Sequence, residues 1–268
     1  MLEQTIAAPK RQARRPRKPA VPARLTAASS RKHNDLASFL AYADRIDLST
    51  KSSVYKGTHF EYTVAEGLKG YNFDLQRTGR SNDLGIDLIG HWMLAGRPKG
   101  SPLPVLVQCK ASRSAKPSPA MIRELEGAYG GAPSGWRHGD GVLALLVTTQ
   151  PTTLGVRAAI QRSSSPLGVL QLTADKGEVK QFIWNASASR AGLEGLGVVV
   201  KYQGSKWVGT ASDGQAKDPV EWRVGLTWMG KMWKPAGMTE QDSPLLVQPP
   251  EWNSGSLQPT YDREAVLS

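Results

Sequence analysis

The sequence predicts an α/β protein, a mixed sheet flanked by helices with a β-rich C-terminal extension, and three observations predict it. Between residues 52 and 173 the apolar patterns run helix, three strands, helix, strand, helix, strand, an order that places helices on the faces of a sheet. One of those strands, Gly141 to Thr149, is a nearly unbroken apolar run, as expected where both faces are covered. After Thr173 the texture changes, and six of the eight tryptophans (Trp184, Trp207, Trp222, Trp228, Trp233, Trp252) fall there.

The elements follow in order. Residues 1–35 are rich in Arg, Ala, Pro and Ser without apolar periodicity and read as a disordered basic leader. Asp35 to Ile46 predicts a short helix with Leu36, Phe39, Leu40 and Ala43 on one face. The domain proper starts near Ser52. Phe60, Val64 and Leu68 recur every four residues, which predicts a helix from about Ser53 to Lys69, ending near Gly70. Tyr71 to Arg77, Gly85 to Leu94 and Val105 to Ala111 read as three strands, the last two separated by the Gly/Pro-rich loop Gly96 to Pro102. Ser118-Pro119 opens a helix with proline at its first position, Met121, Leu125 and Ala128 share a face, and Gly130-Gly131 stops it. The apolar strand Gly141 to Thr149, a helix Thr152 to Arg162 and a short final strand Val169 to Leu172 complete the domain at residue 173.

Residues 174–235 form the β-rich, Trp-containing extension. In it Val220, Trp222, Val224, Leu226 and Trp228 alternate with polar or small residues, and Gly197 to Tyr202 with Lys206 to Thr210 predict a hairpin through Gly204. Residues 236–268 read as a mostly irregular tail.

Composition bounds the function. Hydrophobic content of 40% and charged content of 21% fit a globular protein, and no run approaches the roughly 18 apolar residues of a membrane span. A single cysteine, Cys109, excludes an intrachain disulfide and a multi-cysteine zinc site, and points to a reducing compartment. The formal charge of +11 suggests a polyanionic partner. Residues 1–32 hold nine Lys/Arg against Glu3 alone, a local +8, which leaves only +3 for the rest. The leader by itself fits an organelle transit segment, a nuclear import signal or a DNA-binding arm.

Chemistry concentrates on two adjacent predicted strands. Gly85-Ile86-Asp87-Leu88 and Val107-Gln108-Cys109-Lys110 place a carboxylate, a carboxamide and an amine on otherwise apolar segments, where polar groups are costly to bury without a use. Side chains alternate along a strand, so Gln108 and Lys110 point one way and Cys109 the other. A carboxylate that holds a hard divalent cation beside a lysine that steadies phosphate charge is what metal-dependent phosphodiester cleavage requires. Glu61, on the edge of the first long helix, adds a fourth candidate; read alone it is equally a helix-surface glutamate. Gly192, Gly195 and Gly197 lack the dinucleotide fingerprint, and neither HExxH nor GxSxG occurs.

Taken in order, Gly57-x-x-Phe60-Glu61, Gly70-Tyr71, Arg77-Thr78-Gly79, Ser81-x-Asp83-x-Gly85-Ile86-Asp87-Leu88, Gln108-Cys109-Lys110, Ile122-Arg123-Glu124-Leu125-Glu126-Gly127-Ala128 and Val147-Thr148-Thr149 resemble the PD-(D/E)xK nuclease superfamily, in its branch related to Mrr restriction endonucleases. The resemblance covers about 52–173. It implies a restriction-endonuclease-like fold, with Asp87 and Glu61 as metal-ligating acids, Lys110 as the catalytic lysine and Gln108 in the place of the usual second acid. The basic leader and Phe182-x-Trp184-Asn185 resemble a narrower group, the fungal mitochondrial "required for respiratory growth" family, which favours a mitochondrial over a nuclear destination.

The expectation is therefore a Mg²⁺-dependent endonuclease, a hydrolase that Mn²⁺ also serves. DNA is the expected partner, with RNA and a homodimer left open. Arg77, Arg80 and Arg113 are the candidate contacts to flanking phosphates, against the simpler reading of surface arginines. Two alternatives stand beside this: a weak or inactive nuclease fold that binds nucleic acid, with the Trp-rich extension and Lys201, Lys206, Lys231 and Lys234 as its surface, and a mitochondrial assembly factor.

Overall fold

The computed structural model describes residues 32–78, 85–94, 101–132, 136, 141–203 and 221–233. Helix α1 (Leu36–Arg45) is started by a reciprocal cap: the Asp35 carboxylate accepts from the Ser38 N–H at 2.7 Å while the Ser38 hydroxyl accepts from the Asp35 N–H at 3.1 Å. Its Phe39 and Ala43 pack on Tyr62 of α2 (Ser53–Lys69). Ser52 caps α2 by accepting from Tyr55 N–H. The spacing of Phe60, Val64 and Leu68 puts all three on the buried face.

Six strands form one mixed sheet in sequence order: β1 (Phe73–Arg77), β2 (Leu88–Trp92), β3 (Leu103–Lys110), β4 (Leu143–Thr148), β5 (Leu167–Leu172) and β6 (Val179–Trp184). Pairs β1–β2, β2–β3 and β5–β6 are antiparallel; β3–β4 and β4–β5 are parallel. The parallel crossovers carry α3 (Pro119–Gly131) and α4 (Leu154–Arg162). Each face has its own core. Phe60, Val64 and Leu68 of α2 cover Leu88, Val107, Leu145 and Leu170 on one side. Ile122 and Leu125 of α3, with Val156 and Ile160 of α4, cover Ile89, Leu106, Leu146 and Val169 on the other. All six residues of β4 are buried, as its apolar run requires. The expected mixed sheet flanked by helices is the architecture found.

Beyond β6 a short helix α5 (Ala186–Ala188) leads to an antiparallel sheet of β7 (Leu196–Gln203), β8 (Glu221–Trp228) and β9 (Lys231–Met232). Leu196, Val224 and Leu226 join the core on the α2 side.

Several expected boundaries move. The main sheet does not end at Leu172, because Val179–Trp184 pairs with β5 as a sixth strand. Its burial pattern lacks clean alternation, so periodicity did not mark it. Strand β7 pairs with β8; the segment 206–210, expected as its hairpin partner, lies outside the described residues, as do the basic leader through residue 31 and the tail 234–268. Helix α3 runs through Gly130 to Gly131 instead of stopping before them. Strand β2 starts at Leu88 rather than Gly85, because Gly85 sits at φ +83 and turns the chain. Gly90 in β2 is required by close approach: a Cβ there would lie 1.9 Å from the Asp74 carbonyl oxygen of β1.

Candidate active site

The site is built where the β2–β3 ladder ends. The last paired residues are Leu88 and Val107. One step further Asp87 continues the ladder by other means: its N–H donates to Val107 O at 2.9 Å, and its carboxylate Oδ2 accepts from Cys109 N–H at 2.6 Å. From the β1 side, Thr78 N–H donates to Asp87 O at 3.0 Å, and the Thr78 hydroxyl donates to Ile86 O at 2.7 Å. The Asp87 backbone is thereby held from both flanks, and its half-buried carboxylate by the Cys109 N–H.

On β3, alternation sends Val107 and Cys109 to the α2 side and Leu106 and Gln108 to the α3 side. Gln108 is fully buried, and its Nε2 donates to Glu124 Oε1 at 2.8 Å. Lys110 Nζ donates to the same oxygen at 2.9 Å. An amide turned the other way would present its oxygen to a carboxylate, so Glu124 sets the orientation. The consequence is that Gln108 Oε1 is buried with no hydrogen-bond partner among the described residues. The turn before Asp87 closes over this pair: a Cβ on Gly85 would lie 2.9 Å from Gln108 Nε2 and 3.7 Å from Glu124 Oε1. Gln108, Lys110, Glu124 and the Asp87 turn therefore share one corner of the fold.

Glu61 sits elsewhere on that corner. Its carboxylate is ion-paired with Arg77 Nε, with side chains 15% and 22% exposed. The Arg77 guanidinium also lies over the Tyr62 ring, 5.8 Å from its centroid. Burial pulls the Arg77 guanidinium down, but the carboxylate of Glu61 outweighs it and the net shift is upward. Burial pushes the Cys109 thiol well up, and the nearby carboxylates of Asp87 and Glu61 push it further.

The sequence-predicted residues divide accordingly. Asp87, Gln108 and Lys110 are brought together; Glu61 is adjacent and engaged by Arg77. Arg77, expected as a phosphate contact, is ion-paired with Glu61 through its Nε. Arg113 is exposed in the turn after β3, and Arg80 lies outside the described residues. Glu124 went unrecognised as a site residue. The Met121, Leu125, Ala128 stripe with Pro119 at the helix start already placed Glu124 beside the buried face of α3.

Among the described residues no group of three or more His, Cys, Asp or Glu side chains is arranged to hold a metal ion. The donors present at the corner are nonetheless oxygens, the Asp87 carboxylate and the orphaned Gln108 Oε1, as a hard divalent cation requires. No helix among them is long and apolar enough to cross a membrane.

Comparison with known proteins adds a family. The model for the family described as "Required for respiratory growth protein 7" matches residues 52–101 and 95–201. An uncharacterized mitochondrial protein of Schizosaccharomyces pombe is 32% identical over 158 residues, 58% of this chain and 61% of that protein. The mitochondrial required for respiratory growth protein 7 of Vanderwaltozyma polyspora is 32% identical over 117 residues, 29% of this chain and 47% of its own length. Its namesake in Zygosaccharomyces rouxii is 31% identical over 117 residues, 30% and 48%. The chain thus spans about half to three-fifths of these relatives. Among solved structures, the MspJI restriction endonuclease in complex with a 27-mer oligonucleotide aligns with 50% of this chain and 28% of its own, at 18% identity and a TM-score of 0.31.

Proposed function

This chain belongs to the Required for respiratory growth protein 7 family, and on that premise we propose that it works in mitochondria as a metal-dependent endonuclease on DNA, in the maintenance of the mitochondrial genome. A mitochondrial place is supported by the names of its relatives. The observation that carries the nuclease reading is the corner where Asp87, Gln108 and Lys110 meet, with a buried amide oxygen lacking a partner among the described residues.

In this reading Asp87 and Gln108 hold Mg²⁺ through oxygen, and Glu61 adds negative charge from the α2 side. The ion supplies Lewis acidity to the phosphate when bound. Lys110, anchored by Glu124, keeps a positive charge where the phosphodiester develops negative charge. Glu124 fixes the Gln108 amide so that its oxygen faces the site. A neutral amide in place of an acid weakens the hold on a cation, and this favours the second reading, a nuclease fold that binds nucleic acid with little or no cleavage.

The test uses the purified chain on plasmid, branched and single-stranded DNA with Mg²⁺ or Mn²⁺, beside Asp87→Asn. The asparagine keeps an oxygen for Cys109 N–H, so the fold survives while the charge is lost. Wild type is expected to cut, and Asp87→Asn to cut at least about 100-fold more slowly, a loss of roughly 2.7 kcal/mol or more of transition-state stabilisation. Equal rates for the two proteins, or no wild-type product with either ion, refute the nuclease reading.

A further inference from the structure

We infer that the cleft between the start of α2 and the end of β3 is a tract for the phosphate backbone of a nucleic-acid duplex; this rests on the reading above and names what lies beside its reacting centre. The cleft encloses about 460 Å³. Lys51 and Lys56 line it from the α2 side, and Cys109, Lys110, Ser112 and Thr148 from the sheet side. Lysines from two sides thus line one space, and of them Lys110 is ion-paired with Glu124. None of the described residues lining it is acidic, and the first turn of α2 carries no acid either.

Lys51 and Lys56 are exposed. Unlike Lys69, Lys110 and Lys180 they make no ion pair among the described residues. Both residues line the cleft that Lys110 also lines. Cys109, whose N–H is bonded to Asp87, joins the cleft to the candidate catalytic corner.

The lining also says which part of a nucleic acid is held. Among the described residues no aromatic side chain borders the cleft, so they offer no platform on which unpaired bases would stack. Lysines and hydroxyls contact phosphate oxygens without reading base edges. The tract therefore selects a polyphosphate backbone, in a duplex over a single strand, and is indifferent to base sequence.

The experiment measures binding in EDTA by fluorescence anisotropy, from 50 to 200 mM salt, so that cleavage plays no part. Duplex DNA of two unrelated sequences, single-stranded DNA and duplex RNA serve as probes. Wild type, Lys51→Gln/Lys56→Gln and a control pair of exposed cations that do not line the cleft, Arg162→Gln/Lys176→Gln, are compared. The cleft variant is expected to bind duplexes on the order of tenfold or more weakly at 0.1 M salt, with a log–log salt slope shallower by about 1.8, or about 0.9 per lysine. The control pair keeps wild-type affinity, and the two duplex sequences bind alike. Unchanged affinity and slope in the cleft variant overturn the inference, as does tighter binding of single strands.

The two readings separate. Wild-type cleavage with an unaffected cleft variant removes the tract and leaves the nuclease. Loss of duplex binding in the cleft variant, with no metal-dependent products from wild type, leaves the tract and removes the nuclease. A wild type that binds no probe removes the tract, and the cleavage assay alone then decides the nuclease.

Discussion

Replacing Glu124 with alanine tests how the candidate site is held together. One oxygen, Oε1, accepts from both the Gln108 amide at 2.8 Å and the Lys110 ammonium at 2.9 Å. The two partners are unequal energetically. Lys110 and Glu124 are 35% and 50% exposed, so their charge pairing is screened by water and contributes at most about 1 kcal/mol. Gln108 is fully buried, and losing its acceptor leaves a buried donor unsatisfied at a cost of about 1–3 kcal/mol. The buried amide therefore decides the outcome.

At about 2–4 °C per kcal/mol for a domain of this size, Glu124→Ala is expected to melt roughly 2–12 °C below wild type by differential scanning fluorimetry. Lys110→Met, which removes only the exposed partner, is expected to stay within about 4 °C. The substitution also frees the Gln108 amide to turn, so on the proposed nuclease reading Mg²⁺-dependent cleavage is expected to fall together with stability. A Glu124→Ala protein melting with wild type, or a Lys110→Met protein as destabilised as Glu124→Ala, refutes the account of the amide as the held group.

Two further outcomes follow from the same corner. Arg77→Met leaves the Glu61 carboxylate largely buried without its ion partner, and is expected to lower the unfolding free energy by about 1–3 kcal/mol in urea titrations. Adding Glu61→Gln is expected to recover part of that loss, whereas a purely additive double variant contradicts the pairing. The Cys109 thiol is raised in the folded chain by burial and by Asp87 and Glu61. The folded state thus keeps its proton where the unfolded thiol, near about 8.5, gives it up. That stability is present in full below the unfolded value and falls as pH rises past it toward the folded one, by up to about 1.4 kcal/mol per pH unit. Urea unfolding of wild type is expected to lose stability between about pH 8.5 and 10 more steeply than Cys109→Ala; parallel slopes contradict the shift.

What the sequence determined by itself was whatever depends on local periodicity. Phe60, Val64 and Leu68 announce α2, the apolar run at 143–148 announces the covered central strand, and Asp87, Gln108 and Lys110 stand out as polar groups on apolar strands. Alternation alone sends Gln108 and Lys110 to one face and Cys109 to the other. Strand pairing and the identities of side-chain partners were beyond its reach, because they join residues far apart in the chain. Tertiary structure decided that β6 completes the main sheet, that β7 pairs with β8, and that Arg77 answers Glu61 across 16 positions. It also placed Glu124, 16 residues beyond Gln108, so that one carboxylate oxygen binds both Gln108 and Lys110. The physical reason is range: side-chain direction follows from a few neighbouring dihedrals, whereas a hydrogen bond needs two groups placed within about 3 Å by the whole fold.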